Sequence, residues 1–266
     1  MTGAPLLLLI LIFFATSAIS VVTGSTSLIT VPAMFQFHLD PRTAVATNMF
    51  ALTFMSMGGA LPFLRGQAVD RKRLPLLIEL TIAGSAIGAF LLLLVPARSV
   101  SIIVSVAMIA VAILSTIYRK SGLQDTAGTP SASAEFACYV LTFLLGIYGG
   151  FFSGGYVTIL TAVYVALFRM SFVQAIATTK VVNVFSSAVA TGIFIGHGVV
   201  DYRLGAILGI AMFVGALFGA RFAVRIGERW LRRIFLTAVW ALGLKALLFD
   251  IFARDAGCGV PSHAAE

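Results

Sequence analysis

The chain has 266 residues, of which 60% are hydrophobic and only 11% are charged, and its mean hydropathy is +1.05. A soluble domain would carry about 25% charged residues, and several apolar runs here exceed the roughly 20 residues that a helix needs to cross a bilayer. The composition therefore predicts an integral membrane protein. The formal net charge of +8 does not indicate nucleic-acid binding, because the basic residues lie in short loops between apolar segments.

Eight apolar segments follow one another along the chain. In chain order they cover residues 5–37, 43–64, 74–95, 99–118, 135–168, 174–195, 203–224 and 231–253. A stretch rich in Ser, Thr, Ala and Gly (121–134) is the expected linker between a first transmembrane repeat (1–120) and a second one (135–253), and a tail (254–266) follows. We therefore expect an all-α integral membrane protein of two halves, each with one long first stretch and three ordinary spans.

The second half repeats the first at a constant offset of 131 residues. TAVATNMFALTF, beginning at Thr43, aligns without a gap with QAIATTKVVNVF, beginning at Gln174. Between positions 24–89 and 155–220, fifteen of sixty-six pairs are identical, whereas chance would give roughly five or six for so apolar a composition. A duplicated unit explains this better. Duplicated halves that meet near the bilayer midplane are how many secondary transporters are built.

The first stretch of each half is too long for one straight crossing, and small residues interrupt it. The expected breaks are residues 24–27 with Pro32 in the first half, and 149–150 with 153–155 in the second. Irregular backbone at membrane depth is tolerated only where protein or a water-filled cavity satisfies it. Each stretch is therefore either a single broken crossing or a hairpin of two shorter helices.

The distribution of Lys and Arg decides between these alternatives. If both stretches cross once, the halves are parallel and the basic residues of the loops divide eight to eight between the two sides. If both stretches are hairpins, the second half is inverted, and one side holds twelve basic residues against four on the other. Because Lys and Arg in short loops favour the cytoplasmic side, we expect inverted repeats with both termini outside, in the cell (inner) membrane. The four outer residues are Arg42, Arg98, Arg203 and Arg254.

The two breaks are the first candidate for ligand binding. Unwound backbone and helix N-termini present unpaired N–H groups and a partial positive charge, which favour an anion. The alternative is close helix packing, since small residues are common where membrane helices touch. The candidate residues in the breaks are Gly24, Ser25, Ser27, Ser153, Gly154 and Gly155.

The repeated Ala-Thr element supplies the second candidate set, which comprises Thr47, Asn48, Thr178, Thr179, Lys180 and Asn183. Thr179 and Asn183 are four residues apart and share a helix face. Lys180 lies within an apolar span, where a lysine costs about 3 kcal/mol and normally faces a cavity or a partner. Met49 occupies the equivalent position in the first half. We interpret Lys180 as the counter-charge of an anion; the alternative is that its side chain snorkels to the nearby interface.

Other features predict structural roles. Asp70 and Asp201 match across the repeat just before a span, which predicts helix capping. The GxxxG sequences at 84–88 and 215–219 predict close packing between the halves. The chain has no HExxH motif and no Ser/His/Asp grouping, so we expect no enzyme, no catalytic residue, no metal site and no cofactor.

This combination of features resembles the TauE/SafE family of membrane exporters for sulfite and organosulfonates. The matching features are the Gly-Ser break followed by Pro32, the A-x-A-T element in both halves, TTKVVN at 178–183, the aspartate before the third span, and the GxxxGA that follows it. The resemblance implies outward transport of a sulfur-containing anion such as sulfite or a small sulfonate.

The residues alone support a small anion held between two broken helices, with rocking of the halves exposing the site alternately to each side. A passive anion channel, or a transporter of another small anion, is the alternative. The expected partners are the anionic substrate and the lipid bilayer, without nucleic acid, and a homo-oligomer is an open alternative to a monomer.

Overall fold

The computed structural model describes residues 3–24, 26–65, 69–120 and 130–225, and all regular structure in these ranges is helical. The helices are α1 (Ala4–Thr23), α2 (Ser27–Gln36), α3 (Pro41–Arg65), α4 (Leu74–Leu94), α5 (Ala97–Lys120), α6 (Ala132–Phe151), α7 (Tyr156–Leu167), α8 (Phe172–Gly196) and α9 (Tyr202–Arg225). Six of them, namely α1, α3, α4, α6, α8 and α9, are long and apolar enough to cross a bilayer. The prediction of a helical protein that crosses the membrane several times is confirmed. The last predicted span (231–253) lies outside the described residues.

Equivalent helices recur at the spacing of the sequence repeat. The bounds of α3 and α8 differ by 131 positions at both ends, and each helix has 25 residues. Helices α1, α2 and α4 correspond in the same way to α6, α7 and α9, with boundaries that agree within three residues. The duplication seen in the sequence is therefore also a duplication of helices.

The long first stretch of each half consists of two helices separated by a short break. Helix α1 ends at Thr23 and is followed by Gly24, whose φ of 72° is left-handed and whose N–H donates to the carbonyl of Ser20 at 2.8 Å. Helix α7 begins after Gly155, which has a φ of 77°. Left-handed backbone of this kind favours glycine, because it has no Cβ. The break predicted at 153–155 is confirmed, and in the first half the described residues Gly24 and Thr26 lie between α1 and α2. The prediction that Pro32 also interrupts the first stretch is wrong, because Pro32 lies inside α2, and a membrane helix tolerates a proline where its surroundings satisfy the freed backbone group.

The prediction that Gly149 and Gly150 also break the second stretch is wrong, because both lie within α6. They allow close packing instead. A Cβ on Gly149 would lie 3.0 Å from the ring of Tyr156, and one on Gly150 would overlap the backbone of Ser85 on α4. A pair of glycines in a membrane helix permits a break or a close contact, and here the neighbouring helices make it a contact.

The two halves are interlocked through these small residues. Helix α4 of the first half packs against α6 of the second, and α9 of the second half packs against α1 of the first. A Cβ on Gly88 would overlap the carbonyl oxygen of Ile147, and one on Gly219 would overlap that of Ala18. The predicted packing role of both GxxxG sequences is confirmed, with each one facing the first helix of the other half.

Polar side chains accept backbone hydrogen bonds at or just before the beginnings of several helices. Asp201 precedes α9 and its Oδ1 accepts a hydrogen bond from Leu204 N at 3.0 Å, while Asp70 accepts from the backbone N–H groups of the turn before α4. The predicted capping role is confirmed for Asp201, whereas Asp70 holds the turn before α4 and not the helix itself, whose N-cap residue is Arg73. Ser131 caps α6 by accepting from Ala134 N at 3.3 Å, so this helix begins at Ala132, within the range expected to be linker.

Candidate functional site

The two breaks lie against each other in the interior. A Cβ on Gly24 would lie 2.8 Å from the backbone nitrogen of Thr158, in the first turn of α7. A Cβ on Gly154 would lie 2.7 Å from the Cδ2 atom of Leu28, in the first turn of α2. Each break therefore faces the N-terminal turn of the short helix that follows the other break. Ser25 lies outside the described residues.

The N-termini of α2 and α7 supply partial positive charge at this meeting point. The N-cap residues of these helices, Thr26 and Gly155, make no side-chain capping hydrogen bond. Ser153 is buried beside α7, and its hydroxyl makes no hydrogen bond with a described residue. The partial positive charge at the N-terminus of a helix favours an anion.

The Ala-Thr elements fasten the short helices to the long ones in the same way in both halves. In the first half, Thr30 donates to Oδ1 of Asn48 at 2.7 Å, and Nδ2 of Asn48 donates to the hydroxyl of Ser27 at 2.9 Å. In the second half, the hydroxyls of Thr161 and Thr179 share a hydrogen bond of 3.1 Å. Asn48 and Thr179 occupy equivalent positions, so each anchors the short helix that borders the break.

Thr47 and Thr178 lie away from the breaks. The hydroxyl of Thr47 accepts from the N–H of Asp201 at 3.0 Å, and the hydroxyl of Thr178 accepts from the N–H of Asp70 at 3.2 Å. Thr178 is two residues before Lys180, which places it about 200° around the helix. The structure therefore does not bring these two threonines together with the other candidates, although the sequence grouped them.

Lys180 is buried inside the protein, with 2% of its surface exposed. Its Nζ donates to the carbonyl oxygen of Ser20 at 3.1 Å, and the same oxygen accepts the N–H of Gly24 at the end of α1. The ammonium thus lies at the C-terminus of α1, where the helix dipole is negative. The side chain does not extend to the interface, so the snorkelling alternative does not describe it.

Lys180 has N–H donors that no described residue accepts. An ammonium group has three N–H donors, and Lys180 makes one hydrogen bond and no ion pair with the described residues. A Cβ on Gly59 would lie 3.8 Å from its Cδ, so α3 borders the lysine closely. A buried charge without a counter-charge is costly. An anion that accepts the remaining donors would offset this cost.

Asn183 joins α8 to α3 one turn beyond Lys180. Its Nδ2 donates to the hydroxyl of Ser56, while its Oδ1 has no hydrogen-bond partner among the described residues. Sequence reasoning missed Ser56, Ser20, Thr30 and Thr161. A signal existed for some of them, because Thr30 is identical to its repeat counterpart Thr161, and Ser56 is identical to Ser187.

The site offers hydroxyl, amide, ammonium and backbone N–H groups, which suit an oxyanion. Within residues 3–225, apart from the undescribed gaps, no group of three or more His, Cys, Asp or Glu side chains could hold a metal ion. Among the described residues, Lys180 brings a buried ammonium to the end of α1 at the first break. The chemistry that this arrangement supports is therefore binding of a small anion.

Comparisons with known proteins find relatives that are named as probable membrane transporters. Residues 8–246 match the model of a family described as sulfite exporter TauE/SafE. Probable membrane transporter protein ORF9 of a Sinorhizobium species is 28% identical over 239 residues, which cover 88% of this chain and 89% of the relative. YfcA of Escherichia coli strain K12 is 28% identical over 258 residues, which cover 95% and 93%. YunE of Bacillus subtilis strain 168 is 24% identical over 225 residues, which cover 79% and 81%. No solved structure matches the chain.

Proposed function

Because the chain belongs to the sulfite exporter TauE/SafE family of membrane transporters, we propose that it exports a small sulfur-containing oxyanion, sulfite or an organosulfonate, across the cell (inner) membrane by alternating access. The observation that carries this proposal is the environment of Lys180. Its ammonium is buried, makes one hydrogen bond to the end of α1, and lies in the region where two helix breaks meet.

The chemistry of these donors favours an oxyanion with several oxygens. Hydrogen bonds between an ammonium and an anionic oxygen are shorter and stronger than neutral ones. Lys180 can supply one or two of them, and the N-termini of α2 and α7 add helix dipoles of the right sign. Ser153 and Asn183 border the same region, and the Ser153 hydroxyl and the Asn183 Oδ1 make no hydrogen bond with a described residue. A sulfite or sulfonate group has three oxygens with which to accept such bonds.

The contacts between α3 and α8 support the proposal that the two halves are inverted. Residues 53, 56 and 59 of α3 lie against residues 191, 183 and 180 of α8, in that order. Ascending numbers on one helix meet descending numbers on the other, so these equivalent helices run antiparallel. Inverted repeats that exchange their relative tilt expose a site between them to each side in turn.

Contacts of α2 support the hairpin form of the first stretch. Thr26, just before α2, donates to the sulfur of Met55 at 3.3 Å, and Thr30 donates to Asn48 on the same helix α3. Rising residue numbers on α2 meet falling numbers on α3, so these two helices run antiparallel. Helices α1 and α3 both run parallel to α9, because residues 14 and 18 of α1 face residues 215 and 219, and residues 50 and 54 of α3 face residues 205 and 209. Helix α2 therefore runs opposite to α1 as well as to α3. A hairpin of this kind agrees with the arrangement that divides the basic residues twelve to four.

The proposal is tested with purified protein in detergent and in proteoliposomes. In detergent, sulfite, sulfoacetate, taurine, sulfate and thiosulfate are compared for the rise in Tm that each causes. A ligand at about 100 times its Kd stabilises the folded state by about 2.7 kcal/mol. We expect sulfite or a sulfonate to raise Tm and to show saturable counterflow in proteoliposomes. Flux that does not saturate would favour a passive channel instead.

The decisive variant is Lys180→Met, which places the residue of the equivalent position Met49 in the second half. We expect it to fold, because it removes a buried charge, and to lose both the anion-induced rise in Tm and the flux. The matched control is Lys72→Met, since Lys72 is exposed in the loop before α4. Full transport by Lys180→Met would remove the lysine from the site, and no stabilisation of the wild-type protein by any of these anions would overturn the substrate class.

A further inference from the structure

A row of polar side chains runs along α8 from Lys180 toward the end of the helix. Asn183, Ser187 and Thr191 follow Lys180 at intervals of three, seven and eleven residues, so all four lie on one helix face. All four are buried. The hydrogen bonds of Asn183 and Thr191 to α3 show that this face meets α3.

Helix α3 presents polar partners to the same row. Asn183 donates to the hydroxyl of Ser56, and the hydroxyls of Thr53 and Thr191 share a hydrogen bond of 3.1 Å. These two pairs join the helices at successive levels beyond Lys180. We call the contact between α3 and α8 that contains both pairs the α3–α8 seam.

A comparison of equivalent positions in the two halves shows that the polar residues are confined to one part of the seam. The positions equivalent to Lys180, Asn183 and Thr191 are Met49, Leu52 and Ala60, and the position equivalent to Thr53 is Val184. Of the four residues in the two hydrogen-bonded pairs, three therefore have an apolar residue at the equivalent position of the other half, and the fourth, Ser56, has Ser187. Because the row is polar in one half and mostly apolar in the other, the duplication does not explain why these residues are polar.

The length of the row matches a path across half of the membrane. Eleven residues of helix rise by about 16 Å, which is about half of the roughly 30 Å hydrocarbon core of a bilayer. Lys180 is the ninth residue of α8, and Thr191 lies near the other end of that helix. The row therefore extends from Lys180, inside the membrane, toward the side of the membrane at which α8 ends.

We propose that the α3–α8 seam is the path by which the anion moves between Lys180 and the side at which α8 ends, with Ser56, Asn183, Thr53 and Thr191 as successive hydrogen-bond donors. This rests on the proposed function, because it takes the Lys180 site as the start of the path. In the present structure the pairs bond each other and close the seam. When the helices separate, each hydroxyl or amide exchanges its partner for an oxygen of the anion.

The uncharged nature of the row suits passage rather than tight binding. Exchange of one hydrogen bond for another costs little net free energy. Transport requires contacts that are favourable enough for the ion to enter and weak enough for it to leave. Hydroxyls and an amide meet this requirement beyond the one charged group, whereas a second lysine in the row would hold the anion.

The alternative is that these pairs only hold the two membrane helices together. Hydrogen bonds between membrane helices contribute about 0.6 kcal/mol to stability on average. The two roles differ in what Thr53→Val with Thr191→Val does to transport. Because both hydroxyls are removed together, no buried donor is left without a partner, and stability should change little. We expect unchanged Tm and an unchanged anion-induced rise in Tm, with a flux at least tenfold lower.

Conservative and distant variants complete the test. Thr53→Ser with Thr191→Ser keeps both hydroxyls and should restore most of the flux. Thr142→Val removes a buried hydroxyl that bonds Cys138 and Tyr164 on α6 and α7, away from the seam, and should keep wild-type flux. A valine double variant that transports like the wild type would overturn the path. The proposed function would survive that result, because it fails only if the wild-type protein neither binds nor transports the anion.

A second measurement decides the matter if the valine variant does not fold. Thr191→Cys, in a background with Cys138→Ser and Cys258→Ser, is treated with a membrane-impermeant thiol reagent in proteoliposomes. Labelling that speeds up during transport supports the path. Absence of labelling from either side, in a variant that still transports, overturns it.

Discussion

The hydroxyl of Thr47 accepts a hydrogen bond from the backbone N–H of Asp201, and the equivalent residues of the repeat form the same bond, since the hydroxyl of Thr178 accepts from the N–H of Asp70. Each bond joins the two halves. In each case the Ala-Thr element of one half holds the loop that begins a helix of the other half, α9 or α4. These two hydrogen bonds give Thr47 and Thr178 a structural role in joining the halves, which the sequence alone did not indicate.

Thr47→Val and Thr178→Val should therefore destabilise the fold by similar amounts. Each leaves a backbone N–H without its partner, which costs about 1–3 kcal/mol. The two effects should add in the double variant, since the bonds share no residue. The measurement is thermal unfolding in detergent, with Thr16→Val as the control because its hydroxyl bonds only carbonyls of its own helix. A variant with unchanged Tm that no longer responds to the anion would place that threonine in the binding site instead.

The helices themselves could be predicted closely from the sequence. The span expected at 74–95 is observed as Leu74–Leu94, and the span expected at 174–195 is observed as Phe172–Gly196. Long apolar runs end where polar or charged residues begin, and the bilayer leaves a helix as the only solution for such a run. The glycines at 149–150 were misread because one sequence does not say which surface a glycine faces.

The candidate site was predictable where a residue is chemically out of place. Lys180 was found because a charge inside an apolar span needs a partner. Ser20 was missed because its carbonyl, rather than its side chain, is that partner, and it lies 160 positions away in the chain. Ser56 was missed because serine is ordinary in membrane helices, and only the fold brings it to Asn183. The identity of Ser56 with Ser187 across the repeat was the available signal.

Gly24→Ala should be more destabilising than Gly198→Ala, although both residues have left-handed backbone. The φ angles are 72° and 66°, so both variants carry the strain of about 1–2 kcal/mol that a Cβ causes there. A Cβ on Gly24 would also lie 2.8 Å from Thr158 N, whereas one on Gly198 meets nothing within 4 Å. The difference in Tm between the two variants measures how closely the breaks meet. Equal loss of stability would mean that the breaks do not touch.

Gly88→Ala should destabilise the contact between α4 and α6 strongly, by about 1–3 kcal/mol or more. Its Cβ would overlap the carbonyl oxygen of Ile147, and backbone cannot move aside cheaply. Gly192→Ala is the matched control, because a Cβ there meets nothing within 4 Å and alanine has the higher helix propensity. We expect Tm to fall for the first variant and to stay or rise for the second. The opposite order would exclude close packing of the GxxxG sequence against α6.

An ion-pair cluster joins the halves at the start of α4. Arg73 bonds Asp70 and Glu135 at 2.8 Å each, and its guanidinium lies 4.8 Å from the ring centre of Phe168. Burial opposes the charged form of Arg73, but its bonds to Glu135 and Asp70 outweigh this and raise its pKa. The equivalent of Arg73 is Leu204, so the other half has no such cluster at this position.

Glu135→Gln should therefore lower Tm at low ionic strength and approach the wild-type Tm as salt is added. The bond between Arg73 and Glu135 is partly exposed, and salt screens interactions of this kind. Glu79→Gln is the control for loss of one negative charge, because Glu79 is exposed and forms no ion pair with a described residue. Thermal unfolding over a range of NaCl concentrations is the measurement. An equal change in both variants would attribute the effect to net charge, whereas a change confined to Glu135→Gln at low salt identifies a specific electrostatic link between the first and second halves.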